Sequence, residues 1–366
     1  MQRCSPSLLR VLVRGPHPLA ASLGAPSERG MHHITGHDSA SKTVILNNGK
    51  EMPTLGLGTW KMKSKEAEDA VRTAIDLGYR HIDTAWIYQN EDGVGRAIKA
   101  KIDEGTVKRE ELFVTTKLWS TFHRPTSVMP ALKESLSKLG LSYVDLYLVH
   151  WPMAFQDGNN PMPLGPDKKV IPAGQGLDYL DTWKGMEEAV EEGLTKSIGV
   201  SNFNSVQLSR LLHEANVKPV TNQVEAHAYF PQTKLNDFCL GQHIFLTAYS
   251  PLGSSDRPGA KKTDPVVLDD PVIKGLAVKY GATPAQICIR FLLQQRLLPI
   301  PKSVNPGRLE ENLKSFNFEL TTHDVAEILK LDKGKHGRLI TFDVTDTHHN
   351  YPFAQKEDAS AAELQL

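Results

Sequence analysis

Short apolar runs alternate with amphipathic stretches along most of this chain. Each run is rich in valine, isoleucine, leucine or aromatic residues and predicts a buried strand. The stretches between the runs carry apolar residues at helical spacing, as at residues 65–77, 127–139 and 181–192. The eight predicted strands are residues 55–60, 81–85, 112–119, 144–151, 197–202, 220–226, 245–251 and 298–303. This alternation predicts an α/β protein with a closed parallel (β/α)8 TIM barrel rather than an open sheet.

Residues 43–53 precede this repeat and predict a β-hairpin. Asn48 and Gly49 separate two short extended runs, and an Asn-Gly pair favours the tight turn of a hairpin. We expect this N-terminal β-hairpin to form a plug before the first barrel strand.

Three segments are longer than a barrel requires. They are residues 152–177 after the fourth barrel strand, residues 253–268 after the seventh, and the C-terminal loop beyond residue 331. Each leaves the rim at the carboxyl ends of the strands. Any single one could be an inert surface insertion, but three on one face favour loops that border a substrate pocket.

The composition limits the functions that are possible. Of the 366 residues, 42 are basic and 42 are acidic, and no basic stripe indicates nucleic-acid binding. No apolar stretch approaches the ~20 residues of a membrane-spanning helix. The three cysteines, Cys4, Cys239 and Cys288, form neither a CxxC pair nor a zinc cluster. We therefore expect a soluble monomer that acts on a small molecule and binds no metal.

The N-terminal segment differs in composition from the rest of the chain. We divide the chain into an extension at residues 1–41, a barrel domain at residues 42–353 and a tail at residues 354–366. The extension contains several arginines, serines and prolines and no acidic residue before Glu28, which is typical of a mitochondrial transit peptide. The alternative, which the prolines at positions 6, 16 and 18 favour, is a disordered extension or an upstream start with Met31 as the working initiator. We expect a cytoplasmic protein, or a mitochondrial matrix protein if residues 1–30 are a transit peptide.

Four polar residues end, or closely follow, predicted strands and should meet at one rim of the barrel: Asp83, Tyr88, Lys117 and His150. A tyrosine titrates near ~10 and is a poor acid at neutral pH, but a lysine held beside it by an aspartate should lower that pKa. His150 could orient and polarise a substrate oxygen. This set predicts proton transfer to a carbonyl.

These residues lie in motifs that resemble, in order, those of the aldo-keto reductase superfamily. The resemblance extends from about residue 43 to about residue 353 and points to the aldose reductase and aldehyde reductase (alcohol dehydrogenase, NADP-dependent) branch. It implies NADPH-dependent reduction of aldehydes, with ketones or sugar aldehydes as further candidates, and with Tyr88 as the proton donor. The alternative is a non-catalytic barrel, because the superfamily also contains channel subunits and structural lens proteins. The matching motifs are LGLGTWK, YRHIDTAWIYQNE, DLYLVHWP, IGVSNFN, QVEAH, TAYSPLGSSDRP and IPKSVNPGRLEEN.

The cofactor site needs a separate argument, because the segment at Gly56 and Gly58 lacks the third glycine of a Rossmann fingerprint. Barrels commonly hold phosphate at the loops after strands seven and eight and at a nearby helix N-terminus. The resemblance implies that Lys302 and Arg308 in this region hold the 2′-phosphate and adenine of NADPH, with Asp256 able to reach Lys302. The cofactor-binding residues that it implies are Thr59, Trp60, Ser201, Asn202, Gln223, Tyr249, Ser250, Leu252, Ser254, Asp256, Lys302, Ser303, Val304, Arg308, Glu311 and Asn312.

A substrate pocket with an aromatic wall is predicted beside the catalytic tyrosine. Its residues are His150, Trp60, Trp119, Trp151, Phe155 and Met162, although tryptophans in a barrel can also be core residues. The chain departs from the family pattern at Gly259, at Ala226 and Ala228, and at residues 335–338. These departures leave the substrate open, because loop residues shape the pocket.

Overall fold

A computed structural model describes residues 42–174 and 176–353. The predicted extension and tail, residues 1–41 and 354–366, lie outside the described residues, so those two domain boundaries stay predictions. The chain begins with an antiparallel hairpin of β1 (Thr43–Ile45) and β2 (Glu51–Pro53), in which Val44 lies opposite Met52. Gly49 has a φ of 79° at the turn, a conformation that glycine adopts readily.

Eight parallel strands follow, and each lies within one of the predicted runs. Neighbouring strands pair in chain order from β3 to β10, which confirms the (β/α)8 fold. The strands are β3 (Leu57–Gly58), β4 (His81–Asp83), β5 (Phe113–Leu118), β6 (Leu146–Val149), β7 (Ile198–Ser201), β8 (Thr221–Glu225), β9 (Phe245–Tyr249) and β10 (Leu298–Pro299).

Backbone hydrogen bonds between the first and last strands close the sheet. The amide of Gly56 donates to the carbonyl of Pro299 at 3.1 Å, and the amide of Gly58 donates to the carbonyl of Pro301 at 3.2 Å. A Cβ atom on Gly58 would lie 2.7 Å from the carbonyl oxygen of Ile300. Only glycine therefore allows the two strands to approach this closely.

Helices cover the outside of the barrel, and polar caps fix several of their starts. The side chains of Asp178, Asn204, Thr283 and Asn305 accept backbone N–H groups of the helices that follow them. The helices are α1 (Ser64–Leu77), α2 (Glu91–Asp103), α3 (Pro125–Leu139), α4 (Tyr179–Glu191), α5 (Ser205–Glu214), α6 (Thr233–Gly241), α7 (Pro271–Tyr280), α8 (Pro284–Gln294), α9 (Pro306–Leu313) and α10 (Thr322–Leu329).

The main hydrophobic core lies between the strands and these helices. A second cluster, which includes Met52 of the hairpin and Phe113 and Leu298 at strand starts, closes the N-terminal end of the barrel. An aromatic cluster around Trp119 and Trp151 lies beyond the carboxyl ends of the strands. The plug and the loop-rich rim therefore occupy opposite ends of the barrel.

Two of the three long segments contact each other at the rim. In the loop after β6, the amide of Val170 donates to the carbonyl of Val344 at 2.8 Å. His348 Nε2 lies 3.0 Å from the carbonyl oxygen of Ala154 in the same loop. Among residues 42–174 and 176–353, no helix is long and apolar enough to cross a membrane.

Candidate active site

A cavity of about 670 Å³ opens at the carboxyl ends of the strands. Its lining includes apolar side chains, among them Trp119, Trp151 and Phe342, and polar groups from β7, β9 and the start of α9. Tyr88 and His150 also line it. The cavity is therefore shaped for a ligand that has one polar and one apolar part.

Three of the four predicted catalytic residues form a continuous chain of contacts. Lys117 Nζ lies 2.6 Å from Asp83 Oδ1 and 3.5 Å from the Tyr88 hydroxyl, and it also donates to the carbonyl of Thr84 at 2.9 Å. The other carboxylate oxygen of Asp83 accepts a hydrogen bond from Gln223 Nε2 at 2.7 Å. The side chains of Lys117 and Asp83 are 0% and 2% exposed, so the pair is shielded from solvent and its geometry is fixed on both sides.

Burial dominates the protonation of this group. It raises the pKa of Tyr88 well above its usual value, with further contributions from Asp83 and Tyr249, and it lowers the pKa of Lys117 against the opposing effect of Asp83. The net shift of the Tyr88 pKa is therefore opposite to the one expected from the sequence, because the loss of hydration of the phenolate dominates it. Tyr88 consequently keeps its proton at neutral pH.

His150, the fourth predicted residue, faces Tyr88 across the cavity. Its ring centroid lies 5.8 Å from that of Tyr88 and 5.3 Å from that of Trp119, both with edge-to-face geometry. Its backbone carbonyl accepts a hydrogen bond from Asn202 Nδ2 at 3.0 Å. Burial, with a smaller effect from Lys117, lowers the pKa of the imidazole well below its usual value. The ring is therefore neutral at physiological pH and has one N–H to donate.

Several non-glycine residues of the cavity wall have positive φ angles. Such conformations are uncommon for side-chain-bearing residues and tend to cluster at functional sites. They occur at Lys61, Asn202, Ser250, Ser254 and Phe342, all of which line the cavity.

Most of the predicted cofactor residues line this cavity. Those that do are Trp60, Ser201, Asn202, Gln223, Tyr249, Ser250, Leu252, Ser254, Asp256, Lys302, Ser303, Val304 and Arg308. Three others do not: the Thr59 hydroxyl donates to the carbonyl of Asp83, Glu311 lies on α9, and the Asn312 side chain is buried. The roles of all of these residues stay predictions.

Polar contacts fix the predicted nicotinamide side of the cavity. The Tyr249 hydroxyl donates to Asn202 Oδ1 at 2.8 Å, and Asn202 Nδ2 lies 3.1 Å from Ser201 Oγ. Ser201 Oγ in turn donates to the carbonyl of Gln223 at 2.7 Å. These contacts join the ends of β7, β8 and β9 into one rigid surface.

An ion pair spans the other side of the cavity and was not foreseen from the sequence. Lys61 Nζ lies 2.7 Å from Asp256 Oδ2 and donates to the Asp256 carbonyl at 2.7 Å. The resemblance implies that Asp256 can reach Lys302 across a bound dinucleotide, and the direct contact of Asp256 in the structure is with Lys61. One feature of the sequence indicates a role for Lys61, which is its position directly after the predicted strand that carries Trp60.

Two cations lie at the start of α9. Asn305 caps this helix by accepting the Arg308 amide at 3.0 Å, and Pro306 occupies the first helical position. Lys302 and Arg308 are both exposed and both line the cavity. A helix N-terminus with two neighbouring cations is suited to bind an anion.

The predicted aromatic wall is largely present. Trp60, Trp119, Trp151 and Met162 line the cavity, and Trp119 Nε1 donates to the carbonyl of Pro161 at 2.6 Å. Phe155 is fully buried behind this wall, where its ring packs against Trp119 and Phe342. The predicted wall did not include Ile87, Ile340 and Phe342, which also line the cavity. The last two lie in a short apolar stretch, residues 339–344, of a tail with little periodicity, which is a weak signal.

Comparison with known proteins agrees with this geometry. A profile described as "Aldo/keto reductase family" matches residues 54–333. The chain belongs to the aldo/keto reductase family. It is therefore an oxidoreductase of the type that uses a nicotinamide cofactor.

Individual family members show how far the similarity extends. The chain is 45% identical to human aldo-keto reductase family 1 member A1 over 295 residues, which cover 80% of this chain and 90% of that protein. It is also 45% identical to human aldo-keto reductase family 1 member C3 over 325 residues, which cover 87% of this chain and 99% of that protein. A mouse protein named estradiol 17 beta-dehydrogenase 5 is also 45% identical to this chain. The matched region covers 86% of this chain and 98% of that protein.

A solved structure of an aldose reductase from Schistosoma japonicum has the same fold. It superposes with a TM-score of 0.80 at 37% identity, covering 86% of this chain and 100% of that chain.

Proposed function

We propose that this aldo/keto reductase reduces aldehydes to alcohols with NADPH, and that Tyr88 supplies the proton. The observation that carries the proposal is the Tyr88 hydroxyl, which lies at the cavity 3.5 Å from a buried lysine and opposite a neutral histidine. Ketones and sugar aldehydes are further candidate substrates, because the apolar wall by itself selects only for a partly apolar molecule.

The residues around the cavity fit a nicotinamide dinucleotide phosphate. Ser201, Asn202 and Gln223 offer hydroxyl and amide groups at the height of Tyr88, where a carboxamide would need them. Lys302 and Arg308 offer two cations at the far end, beside the α9 N-terminus, where a 2′-phosphate would need them. The Lys61 and Asp256 side chains bridge the space between these two ends. When bound, the cofactor supplies the hydride for the carbonyl carbon.

Tyr88 holds the proton that the product alcohol requires. Because burial keeps the phenol protonated, it can donate as negative charge develops on the substrate oxygen. Lys117 can stabilise the resulting phenolate through its contact with the Tyr88 hydroxyl, and Asp83 holds Lys117 in place.

His150 orients the substrate in this proposal. A neutral imidazole can donate one hydrogen bond to the carbonyl oxygen without competing as an acid. Its ring is held between Tyr88 and Trp119, so the substrate oxygen would lie between the phenol and the imidazole. Such positioning aligns the carbonyl for transfer.

Steady-state turnover of 4-nitrobenzaldehyde with NADPH tests the proposal. Tyr88→Phe removes one hydroxyl and should lower kcat by at least the ~10²-fold that general-acid loss typically causes. Its NADPH affinity, measured by fluorescence titration, should stay close to that of the wild type. A wild-type protein that turns over no aldehyde in a substrate panel would support the non-catalytic barrel instead. Near-normal kcat in the variant would refute the role of Tyr88.

A further inference from the structure

One fully buried carboxylate at the rim belongs to neither the catalytic nor the cofactor set. Glu225 is the last residue of β8 and is 0% exposed. It lies two residues after Gln223, so both side chains point to the same side of the strand. Burying a carboxylate costs free energy unless several hydrogen-bond donors surround it. The donors that contact Glu225 therefore indicate its role.

Three N–H groups converge on Glu225. Its Oε1 accepts the Leu339 amide at 2.7 Å and lies 2.9 Å from His227 Nε2, and its Oε2 accepts the Ile340 amide at 2.9 Å. The carboxylate thus holds two consecutive backbone amides of the C-terminal segment, one with each oxygen. Charge-assisted hydrogen bonds of this kind fix geometry better than neutral ones.

The segment that Glu225 holds forms part of the cavity wall. We call residues 337–353 the C-terminal strap. Ile340 and Phe342 of the strap line the cavity, and the Phe342 ring packs against Trp119 and Trp151. The Ile340 amide is bound directly by Glu225, so the position of the carboxylate sets the position of this wall.

Further attachments of the strap come from the loop after β6 and from α5. Val170 and Ala154 of the loop after β6 contact Val344 and His348 of the strap. Asn204 and Gln207, at the start of α5, donate to strap carbonyls. Glu225 ties the strap to β8, a strand that is paired on both sides, by β7 and β9.

The strap enters this contact along a constrained path. Gly337 passes so close to the preceding loop that a Cβ atom on it would lie 2.1 Å from the carbonyl oxygen of Tyr229. The Lys333 amide donates to the same carbonyl at 2.9 Å. The backbone is therefore already held at Gly337, two residues before Leu339, whose amide Glu225 binds. The Glu225 carboxylate then fixes the residues that enter the cavity wall.

From this geometry we infer that Glu225 is a specificity-determining positioning residue, which fixes the Ile340–Phe342 wall for substrates large enough to reach it. The inference rests on the proposed carbonyl reduction. Small aldehydes that contact only Tyr88 and His150 do not depend on the wall. Larger apolar aldehydes contact the wall, and their binding requires the strap to keep its position relative to β8.

Glu225→Gln is a suitable test because it keeps the size of the side chain. One oxygen becomes an amide that faces a backbone donor, so one buried N–H of the strap loses its partner. A matched control is Glu187→Gln. Glu187 Oε1 likewise accepts two consecutive backbone amides, of Asn216 and Val217, but before the start of β8 at the opposite end of the barrel.

Two aldehydes of different size, propanal and biphenyl-4-carbaldehyde, separate a positioning role from a general structural one. In Glu225→Gln the KM for the biphenyl aldehyde should rise about tenfold, the effect of one buried hydrogen bond. The kcat for both aldehydes, the KM for propanal and the affinity for NADPH should change by no more than about twofold. Glu187→Gln should behave as wild type toward both.

Hydrogen–deuterium exchange supplies a readout that does not depend on activity. Peptides covering residues 337–344 should exchange faster in Glu225→Gln than in the wild type or in Glu187→Gln. Unchanged exchange there, or equal loss of activity toward both aldehydes, would overturn the inference. If the wild type reduces no aldehyde, the proposed function fails, while the exchange experiment still decides whether Glu225 holds the strap.

A second variant covers the case in which Glu225→Gln fails to fold. Ile340→Ala leaves the buried carboxylate and its three donors intact but removes the wall side chain that Glu225 positions. It should raise the KM for biphenyl-4-carbaldehyde by more than the KM for propanal, so the ratio of the two KM values should increase. An unaltered KM for the biphenyl aldehyde would show that the wall does not contact substrate and would overturn the inference.

Discussion

At the scale of single residues, the site depends on buried charges that several protein groups hold in place. Lys117 donates to a carboxylate, a carbonyl and a phenol, and Asp83 accepts from Lys117 and from Gln223. Removing one member of a buried ion pair leaves an uncompensated charge and typically costs ~3–5 kcal/mol. This network therefore stabilises the rim and also fixes the geometry required for proton transfer.

In the proposed function, Arg308 contributes to the preference for NADPH over NADH. In Arg308→Ala, the affinity for NADPH should fall roughly ten- to hundredfold, or about 1.5–3 kcal/mol, because one charge-assisted contact to the 2′-phosphate is lost. NADH lacks that phosphate, so its affinity should change little. Fluorescence titration of both cofactors against both proteins measures the difference.

Arg72→Ala is a matched control for this change. Arg72 is a partly exposed arginine on α1 that pairs with Glu104. Its loss should leave the affinity for both cofactors unchanged. Equal weakening of NADH and NADPH by Arg308→Ala would mean that Arg308 is structural and that the 2′-phosphate is recognised elsewhere.

At the scale of elements, close backbone contacts between helices hold the layer that surrounds the barrel. Gly95 of α2 faces the last residue of α3, and a Cβ atom on it would lie 2.4 Å from the carbonyl oxygen of Leu139. The clash is with backbone rather than with a movable side-chain end. The two helices therefore have to separate if the glycine is replaced.

Gly95→Ala should lower the free energy of unfolding by about 1–3 kcal/mol through this overpacking. Gly275→Ala is the control, since Gly275 is an exposed residue within α7 that has no positive φ, and a Cβ atom on it would meet nothing within 4 Å. It should stabilise the protein by up to ~1 kcal/mol, because alanine has the higher helix propensity. Thermal and urea unfolding of both variants measure the sign of each change in the free energy of unfolding. An unchanged free energy in Gly95→Ala would contradict the packing argument.

At the scale of the whole barrel, the two ends have different roles. The hairpin and strand starts close the N-terminal end with apolar side chains, while the carboxyl end keeps an open cavity bordered by loops and the strap. Parallel barrels place stability and function at opposite ends in this way. The family match begins at residue 54.

A chain that starts at Met31 should therefore keep the melting temperature and aldehyde turnover of the full-length protein. The prediction follows from the arginine-rich, acid-poor composition before Glu28, which is typical of targeting segments. Differential scanning calorimetry and a turnover assay compare the two proteins. A loss of several degrees would show that the segment contributes to the fold. A reporter fused to residues 1–35 would distinguish import from an extension without a targeting role.

The sequence by itself determined the barrel and the main members of the site. Short apolar runs and helical spacing are local properties, and all eight barrel strands lie within the predicted runs. The rim positions of Asp83, Tyr88, Lys117 and His150 followed, because residues at the ends of parallel strands meet at one end of a barrel.

Only the tertiary structure decided the protonation of Tyr88, the Lys61–Asp256 pair and the position of the strap. Each depends on contacts between residues far apart in the chain or on depth of burial, and neither is encoded in a local pattern. Burial reversed the expected shift of the Tyr88 pKa, because desolvation acts on the whole environment of a group rather than on its sequence neighbours. For the same reason Phe155, predicted to line the pocket, lies behind its wall, and Glu225 contacts a segment more than a hundred residues away.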